Sequence, residues 1–219
     1  MSLARPAAVI LDLDGTILES EKLARHCFLA ACAELDLPDV DIAVYNRCIG
    51  TTEEVTEQIM RGGFGPEFPY EAISQRWSEI YQTQIAHGPI ARRPGIETLI
   101  RTLRELQIPM AVATSSRRPT VEAKLDRCGL ADNFEFYICG GETERGKPDP
   151  APYVSALERL ARPADLCWAI EDSDNGVRSA HAAGLTVFQI PDELEPSDDV
   201  RKLGHDILRS PLDLIAQLI

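Results

Sequence analysis

The sequence predicts an α/β chain: a doubly wound parallel sheet with a helical subdomain inserted after its first strand. Three observations carry this. Short β-rich runs alternate with segments of helical period. The runs are apolar throughout, as in strands covered on both faces. One stretch, roughly residues 17–89, holds helix signals and no convincing strand. At 219 residues the chain suits one α/β domain or a core with a small insert, and a chain of that size buries roughly 70% of its unfolded surface.

The first expected strand is 7–13 (AAVILDL), an apolar run ending in acids. Helix signals follow. Leu23, Cys27, Phe28, Ala31 and Leu35 mark one helix, Thr51 with Glu54 forms a capping-box pattern that starts another, and Ile73, Trp77, Ile80, Tyr81 and Ile85 mark a third. The turn-rich stretch 61–66 (RGGFGP) predicts a break between the last two. After Pro94-Gly95, Ile96, Leu99, Ile100, Leu103 and Leu106 keep a 3.6 period, leading to a strand at 110–114. Val121, Leu125 and Cys128 follow Pro119 as a helix, then comes a strand at 136–139. Tyr153, Ala156, Leu157 and Leu160 mark the next helix, and strands at 166–170 and 186–190 complete the series, with a weak sixth near 206–208. Strand–helix alternation with crossovers of this length implies a parallel sheet. The expected division is a sheet-bearing core of residues 1–16 and 91–219, with an inserted helical subdomain at 17–90.

Composition narrows function. The formal net charge is −13, which argues against a protein that grips nucleic acid or anionic lipid through bulk charge. The excess is uneven: residues 17–90 hold 12 acids against 5 bases, and 191–206 hold 6 against 2. The first apolar run is too short for a leader or a membrane span. Cys27, Cys32, Cys48, Cys128, Cys139 and Cys167 form no C-x-x-C pair and are expected as small buried hydrophobes in a reducing, cytoplasmic setting.

The chemistry gathers where strands end. In an open parallel sheet, ligands sit beyond the carboxyl ends of the strands. The first strand ends in Asp12-Leu13-Asp14-Gly15-Thr16. Alternation points Asp12 and Asp14 to one side, and two carboxylates held there without basic partners call for a hard cation; all-oxygen ligation suits Mg²⁺. Thr114-Ser115-Ser116 ends the second, where hydroxyls and N–H groups leading into a helix make a phosphate cradle. Lys147, between Gly146 and Pro148, follows the third and can neutralise phosphoryl charge. The Gly141…Gly146-Lys147 spacing imitates a nucleotide phosphate loop, but Pro148 stands where that loop needs a hydroxyl. Glu171 and Asp172 end the fourth, with Asp174 and Asn175 expected as helix N-cap residues.

Taken in order, LDLDGT (11–16), VATSS (112–116), GKPDP (146–150) and AIEDSDNG (169–176) resemble the four motifs of the haloacid dehalogenase-like superfamily, in its phosphatase and phosphomutase branch with an α-helical cap. The resemblance covers essentially the whole chain and implies a Rossmann-like core. It implies Asp12 as a nucleophile forming an aspartyl-phosphate, Asp14 as general acid/base, Thr114 as the hydroxyl on the phosphoryl oxygens with Ser115 beside it, and Lys147 as the cation steadying Asp12 and the transferring group. It implies Mg²⁺ held by Asp12, Asp172 and the Asp14 carbonyl, with Glu171 contributing through the water shell.

Within the superfamily, Asp14 demotes the relatives that act on C–halogen or C–P bonds. Mutases of the β-phosphoglucomutase type carry a cap histidine twelve residues after the nucleophile, where this chain has Ala24, and His26 two residues on points to nearly the opposite helix face. The expected function is therefore a Mg²⁺-dependent phosphatase of a small phosphorylated metabolite, a sugar phosphate foremost, acting as a monomer or weak dimer without nucleic acid or membrane. A phosphomutase is the alternative, and a catalytically inactive binding module is a further one. Arg47 and Gly50, in the loop before the second cap helix, are candidate substrate contacts; Glu19, Glu21, Arg117 and Arg118 are candidates around the entrance. Trp77 and Tyr81 are expected as cap core, and His87, His181 and His205 as surface or packing residues.

Overall fold

A computed structural model describes residues 5–37, 39–49 and 53–218. The chain forms two compact units, Met1–Glu19 with Ile90–Ile219, and Ser20–Pro89.

The first unit is built on six parallel strands, β1 (Ala8–Leu11), β2 (Met110–Ala113), β3 (Tyr137–Ile138), β4 (Cys167–Glu171), β5 (Thr186–Gln189) and β6 (Asp206–Ile207), in the order β3-β2-β1-β4-β5-β6. The register sets Ile10 beside Ala111 on one side and Ala169 on the other. From β1 the chain winds outward to β3, then returns to β4 and winds the other way, so strand order reverses between β1 and β4. A crevice opens at such a switch point.

β1 and β2 are apolar throughout, and β4 up to Glu171, because both faces of these inner strands are covered. Val9, Leu11, Met110, Val112, Trp168 and Ile170 enter one core with α5 (Ile96–Glu105), α6 (Arg118–Arg127) and α10 (Pro211–Leu218). Their neighbours Ala8, Ile10, Ala113, Cys167 and Ala169 enter the other, with α7 (Ala151–Leu160), α8 (Asp174–Ala182) and α9 (Asp198–Arg201). This is the period-2 rule acting on two faces.

The second unit holds α1 (Ser20–Glu34), α2 (Ile42–Asn46), α3 (Glu53–Phe64) and α4 (Tyr70–His87). Its core joins Phe28, Cys32, Tyr45, Cys48, Met60, Phe68, Tyr70 and Ile73. Trp77 belongs to this packing: its ring meets Phe28 edge-on at 5.5 Å and Tyr45 at 5.7 Å, and its indole N–H donates to the Ala24 carbonyl at 2.9 Å. Tyr81 lines a cavity of about 210 Å³ with Trp77, Ala24, Ser74 and Ser78.

Three expectations change. Gly62 and Gly63 lie inside α3, and the break falls only after Phe64. A Cβ on Gly63 would stand 2.6 Å from the Val44 methyls, so the glycine lets α3 pack closely on α2. The N-cap of α8 is Ser173, whose hydroxyl accepts from the Gly176 N–H at 3.1 Å, while Asp174 is already helical. The segment α2, capped by the Asp41 carboxylate on the Ala43 N–H, had no apolar period long enough to announce it. The capping-box residue Thr51 lies outside the described residues. All six cysteines are buried, and no disulfide joins any two of them. Among the described residues no helix is long and apolar enough to cross a membrane.

Candidate active site

The carboxyl ends of β1, β2 and β4 bring together side chains that lie far apart in sequence. Asp12 follows β1 directly, its N–H donating to the Ile170 carbonyl at 3.0 Å, and it is buried. The Lys147 Nζ donates to Asp12 Oδ1 at 2.6 Å, to Glu171 Oε1 at 2.5 Å and to the Ala113 carbonyl at 2.8 Å. One ammonium thus joins the ends of three adjacent strands. Behind it, Tyr153 of α7 donates its hydroxyl to Glu171 Oε1 at 2.6 Å, with its ring 5.2 Å from Lys147 Nζ.

Two carboxylates around one ammonium leave a buried negative charge uncompensated. Burial pushes the Asp12 carboxyl from its ordinary 3.8 up to about 8, against the pull of Lys147 and with the help of the Glu171 and Asp14 charges. Burial pulls the other way on Lys147, but Asp12 and Glu171 together hold it above its ordinary value. Burial also raises the Tyr153 phenol. A neutral Tyr153 is therefore a fixed donor to Glu171.

Asp172 closes the arrangement. Asp12, Glu171 and Asp172 each offer a carboxylate oxygen within 4.8 Å of the others. The set is all oxygen, carries excess negative charge and is partly open through Asp172, which fits Mg²⁺ better than a softer metal. Gly15 is shaped to this approach: its φ is +89°, and a Cβ there would stand 2.2 Å from Asp172 Oδ2. Gln189, buried at the end of β5, donates to the Asp172 carbonyl at 3.1 Å and faces His205 Nε2 at 2.8 Å through its other end. Arg93 donates to the Gly15 carbonyl at 2.7 Å and to Asp192 at 2.5 Å, tying the loop after β1 to the end of β5.

Asp14 departs from expectation. The strand does not persist to it: β1 ends at Leu11. It has basic and hydroxyl partners of its own: Ser116 Oγ donates to Asp14 Oδ2 at 2.6 Å and Lys124 donates to Asp14 Oδ1. The premise of two carboxylates without basic partners fails, since each has a lysine. Lys124 was not singled out in the sequence. Its signal is a lysine on the apolar stripe Val121, Leu125, Cys128, three residues after the first of these. Gln189, Tyr153 and Arg93 were missed as well, because a strand-end amide, a helix phenol and a loop arginine carry no local mark.

Thr114 is buried at the end of β2, its hydroxyl accepting from the Ser116 N–H at 3.1 Å, and Ser115 is exposed beside it. Arg118 pairs with Glu142 at 2.5 and 2.9 Å and donates to the Tyr137 carbonyl at 3.0 Å, so its guanidinium is committed to holding a loop. Arg117 is exposed just before α6, and Glu19 lies in the sheet unit. Glu21 and Arg47 belong to the helical unit, Arg47 exposed after α2. Gly50 lies outside the described residues. His87 and His181 are exposed and His205 is half-buried.

Residues 9–190 match the family model described as haloacid dehalogenase-like hydrolase. Protein CbbY of Rhodobacter capsulatus is 33% identical over 204 residues, 88% of each chain. A phosphoglycolate phosphatase of Thiobacillus denitrificans is 30% identical over 189 residues, 84% of this chain and 82% of that one. Among solved structures, a variant of CbbY from Rhodobacter sphaeroides in complex with xylulose-(1,5)bisphosphate superposes with a TM-score of 0.76 at 30% identity, covering 97% of this chain and 99% of that one.

Proposed function

The chain belongs to the haloacid dehalogenase-like hydrolases and is a phosphoric monoester hydrolase, and we propose that it is a Mg²⁺-dependent phosphatase of small sugar phosphates working through an aspartyl-phosphate. The observation that carries this is the Lys147 ammonium, held between the buried Asp12 and Glu171 where β1, β2 and β4 end. It keeps one Asp12 oxygen engaged and leaves positive charge beside the point where a phosphoryl group meets the other. Phosphoryl transfer asks of a protein mostly positioning and charge neutralisation, and this arrangement supplies both.

In the proposed reaction an Asp12 oxygen attacks phosphorus and the ester P–O bond breaks. Asp14 gives its proton to the departing alkoxide, and the sugar leaves as an alcohol. Asp14 then takes a proton from the water that attacks the aspartyl-phosphate, which releases inorganic phosphate and restores Asp12. The Thr114 hydroxyl, Ser115 and Lys147 hold the phosphoryl oxygens. Asp12, Asp172, the Asp14 carbonyl and Glu171 would hold Mg²⁺. When bound, that ion would neutralise phosphoryl charge.

The helical unit acts as a cap that selects substrate, with Arg47 and Gly50 as its candidate contacts. The substrate class draws support from the relatives, one of which is named for phosphoglycolate and another of which is complexed with a sugar bisphosphate. Ala24, at the position of the mutase histidine, supports hydrolysis over return of the phosphoryl group to a sugar. The test is phosphate release from a panel of phosphorylated metabolites with and without Mg²⁺. Turnover of sugar phosphates is expected, at least about 1,000-fold lower in Asp12→Asn and absent with chelator. No turnover in a folded, metal-binding protein overturns the reading. Bisphosphate-dependent interconversion of hexose phosphates replaces it with the mutase.

A further inference from the structure

Lys124 does something unusual for a helix residue on a core-facing stripe. It is 1% exposed, on the face of α6 that Val121 and Leu125 commit to the sheet. Lysine is almost never fully buried without a partner. Here the ammonium donates to Asp14 Oδ1, while Ser116 Oγ takes Asp14 Oδ2 at 2.6 Å. The carboxylate is therefore gripped at both oxygens, from α6 on one side and from the turn after β2 on the other. The terminal torsion of an aspartate is broad and soft, so without such grips its carboxylate plane wanders. Proton transfer does not tolerate that, because the heavy atoms must come within about 2.6–3.2 Å in a fixed direction. The motif segments that resemble the family leave Lys124 out.

We propose that Lys124 is a positioning residue for the proton transfers of Asp14, orienting the carboxylate from a helix outside the four motif segments. The inference rests on the reading of Asp14 as acid and base given above. Lys124 touches neither the phosphoryl group nor the alcohol in this proposal. Its effect passes through Asp14 and is felt in proportion to how much the departing oxygen needs a proton.

That proportionality gives the test. Para-nitrophenyl phosphate releases an acidic phenol and needs little protonation, whereas benzyl phosphate releases an alkoxide and needs full protonation. Values of kcat/KM report the steps up to departure of the alcohol. Lys124→Met is expected to lower kcat/KM about 100-fold on benzyl phosphate and about threefold or less on para-nitrophenyl phosphate. Lys124→Arg should recover about tenfold of the loss. In an Asp14→Asn background, Lys124→Met should add less than about twofold, since the two side chains act as a unit. A loss equal on both substrates, no loss, or additivity with Asp14→Asn overturns the proposal. If Lys124→Met does not fold, Lys124→Gln carries the same comparison. If both unfold while Lys124→Arg folds and behaves as wild type, Lys124 belongs to the fold alone and the proposal falls. A wild-type protein inert on both substrates removes the phosphatase reading, and this inference with it. Wild-type turnover with an unchanged Lys124→Met removes the inference alone.

Discussion

Asp12 and Glu171 share the single ammonium of Lys147, and that shortage of positive charge governs how the site responds to protons and to metal. Asp12 is raised from 3.8 to about 8 by burial. A carboxyl whose folded value is raised contributes stability that is complete below the unfolded value and lost as pH climbs through the folded one. The metal-free protein should therefore lose stability between roughly pH 4 and pH 8 relative to Asp12→Asn, which stays neutral throughout. Mg²⁺ favours the carboxylate, so it should raise the melting temperature more at pH 8 than at pH 6, and more in wild type than in Asp12→Asn. Thermal melts in chelator and in excess Mg²⁺ check this, at roughly 2–4 °C per kcal/mol for a chain of this size. A gap between the two proteins that does not change with pH contradicts it. The acids and Lys147 were legible in the sequence because each directly follows a recognisable strand or turn. Their compensation was not. Lys124 reaches Asp14 across 110 positions and Tyr153 reaches Glu171 across 18, and no local pattern encodes a partner at that distance.

The turn from β4 into α8 shows how an element carries a site. Glu171 is the last residue of the strand, Ser173 caps the helix, and Gly176 in its first turn faces the Glu171 carboxyl. A Cβ on Gly176 would stand 2.0 Å from Glu171 Oε2, with no flexible group free to yield, because that carboxylate is already held by Lys147 and Tyr153. Gly176→Ala is therefore expected to cost about 2 kcal/mol in spite of alanine's better helix propensity, and to weaken Mg²⁺ binding by moving Glu171. Gly62→Ala in α3 is the contrast: its Cβ would meet nothing within 4 Å. That change should stabilise by about 0.5–1 kcal/mol. Denaturation midpoints of the two variants and a Mg²⁺ titration of the first decide the matter, and two variants shifted in the same direction refute the steric account. These helix glycines also mark where the sequence misled. Gly62-Gly63 looks like punctuation, yet packing against Val44 kept the helix running, a tertiary preference that overrode a local one of about 1 kcal/mol per residue.

At the scale of the molecule, the doubly wound sheet explains why so much of the candidate site is legible in the sequence. Parallel strands all point their carboxyl ends one way, so acids, hydroxyls and a lysine placed after successive strands must converge. What the sequence did not contain is the strand order, which depends on which helix covers which face. The same architecture divides the chain into units of unequal cohesion. The sheet unit has two cores, one on each face, and its central strands β1 and β4 are hydrogen-bonded on both sides. The helical unit has one core of eight buried residues and no sheet among its described residues. Opening free energies within a protein follow local burial and contact density, so the two units should not open together. Amide hydrogen exchange followed by mass spectrometry should find β1 and β4 exchanging only through global unfolding. Peptides of α1, α3 and α4 should exchange through smaller openings, at rates at least about tenfold faster, a gap of about 1.4 kcal/mol. Equal protection in the two units would mean that the chain opens as one body and that its helical unit has no separate freedom. Faster exchange there would show that the helical unit opens without unmaking the sheet that holds Asp12 and Lys147, which is the independence the proposed cap role requires.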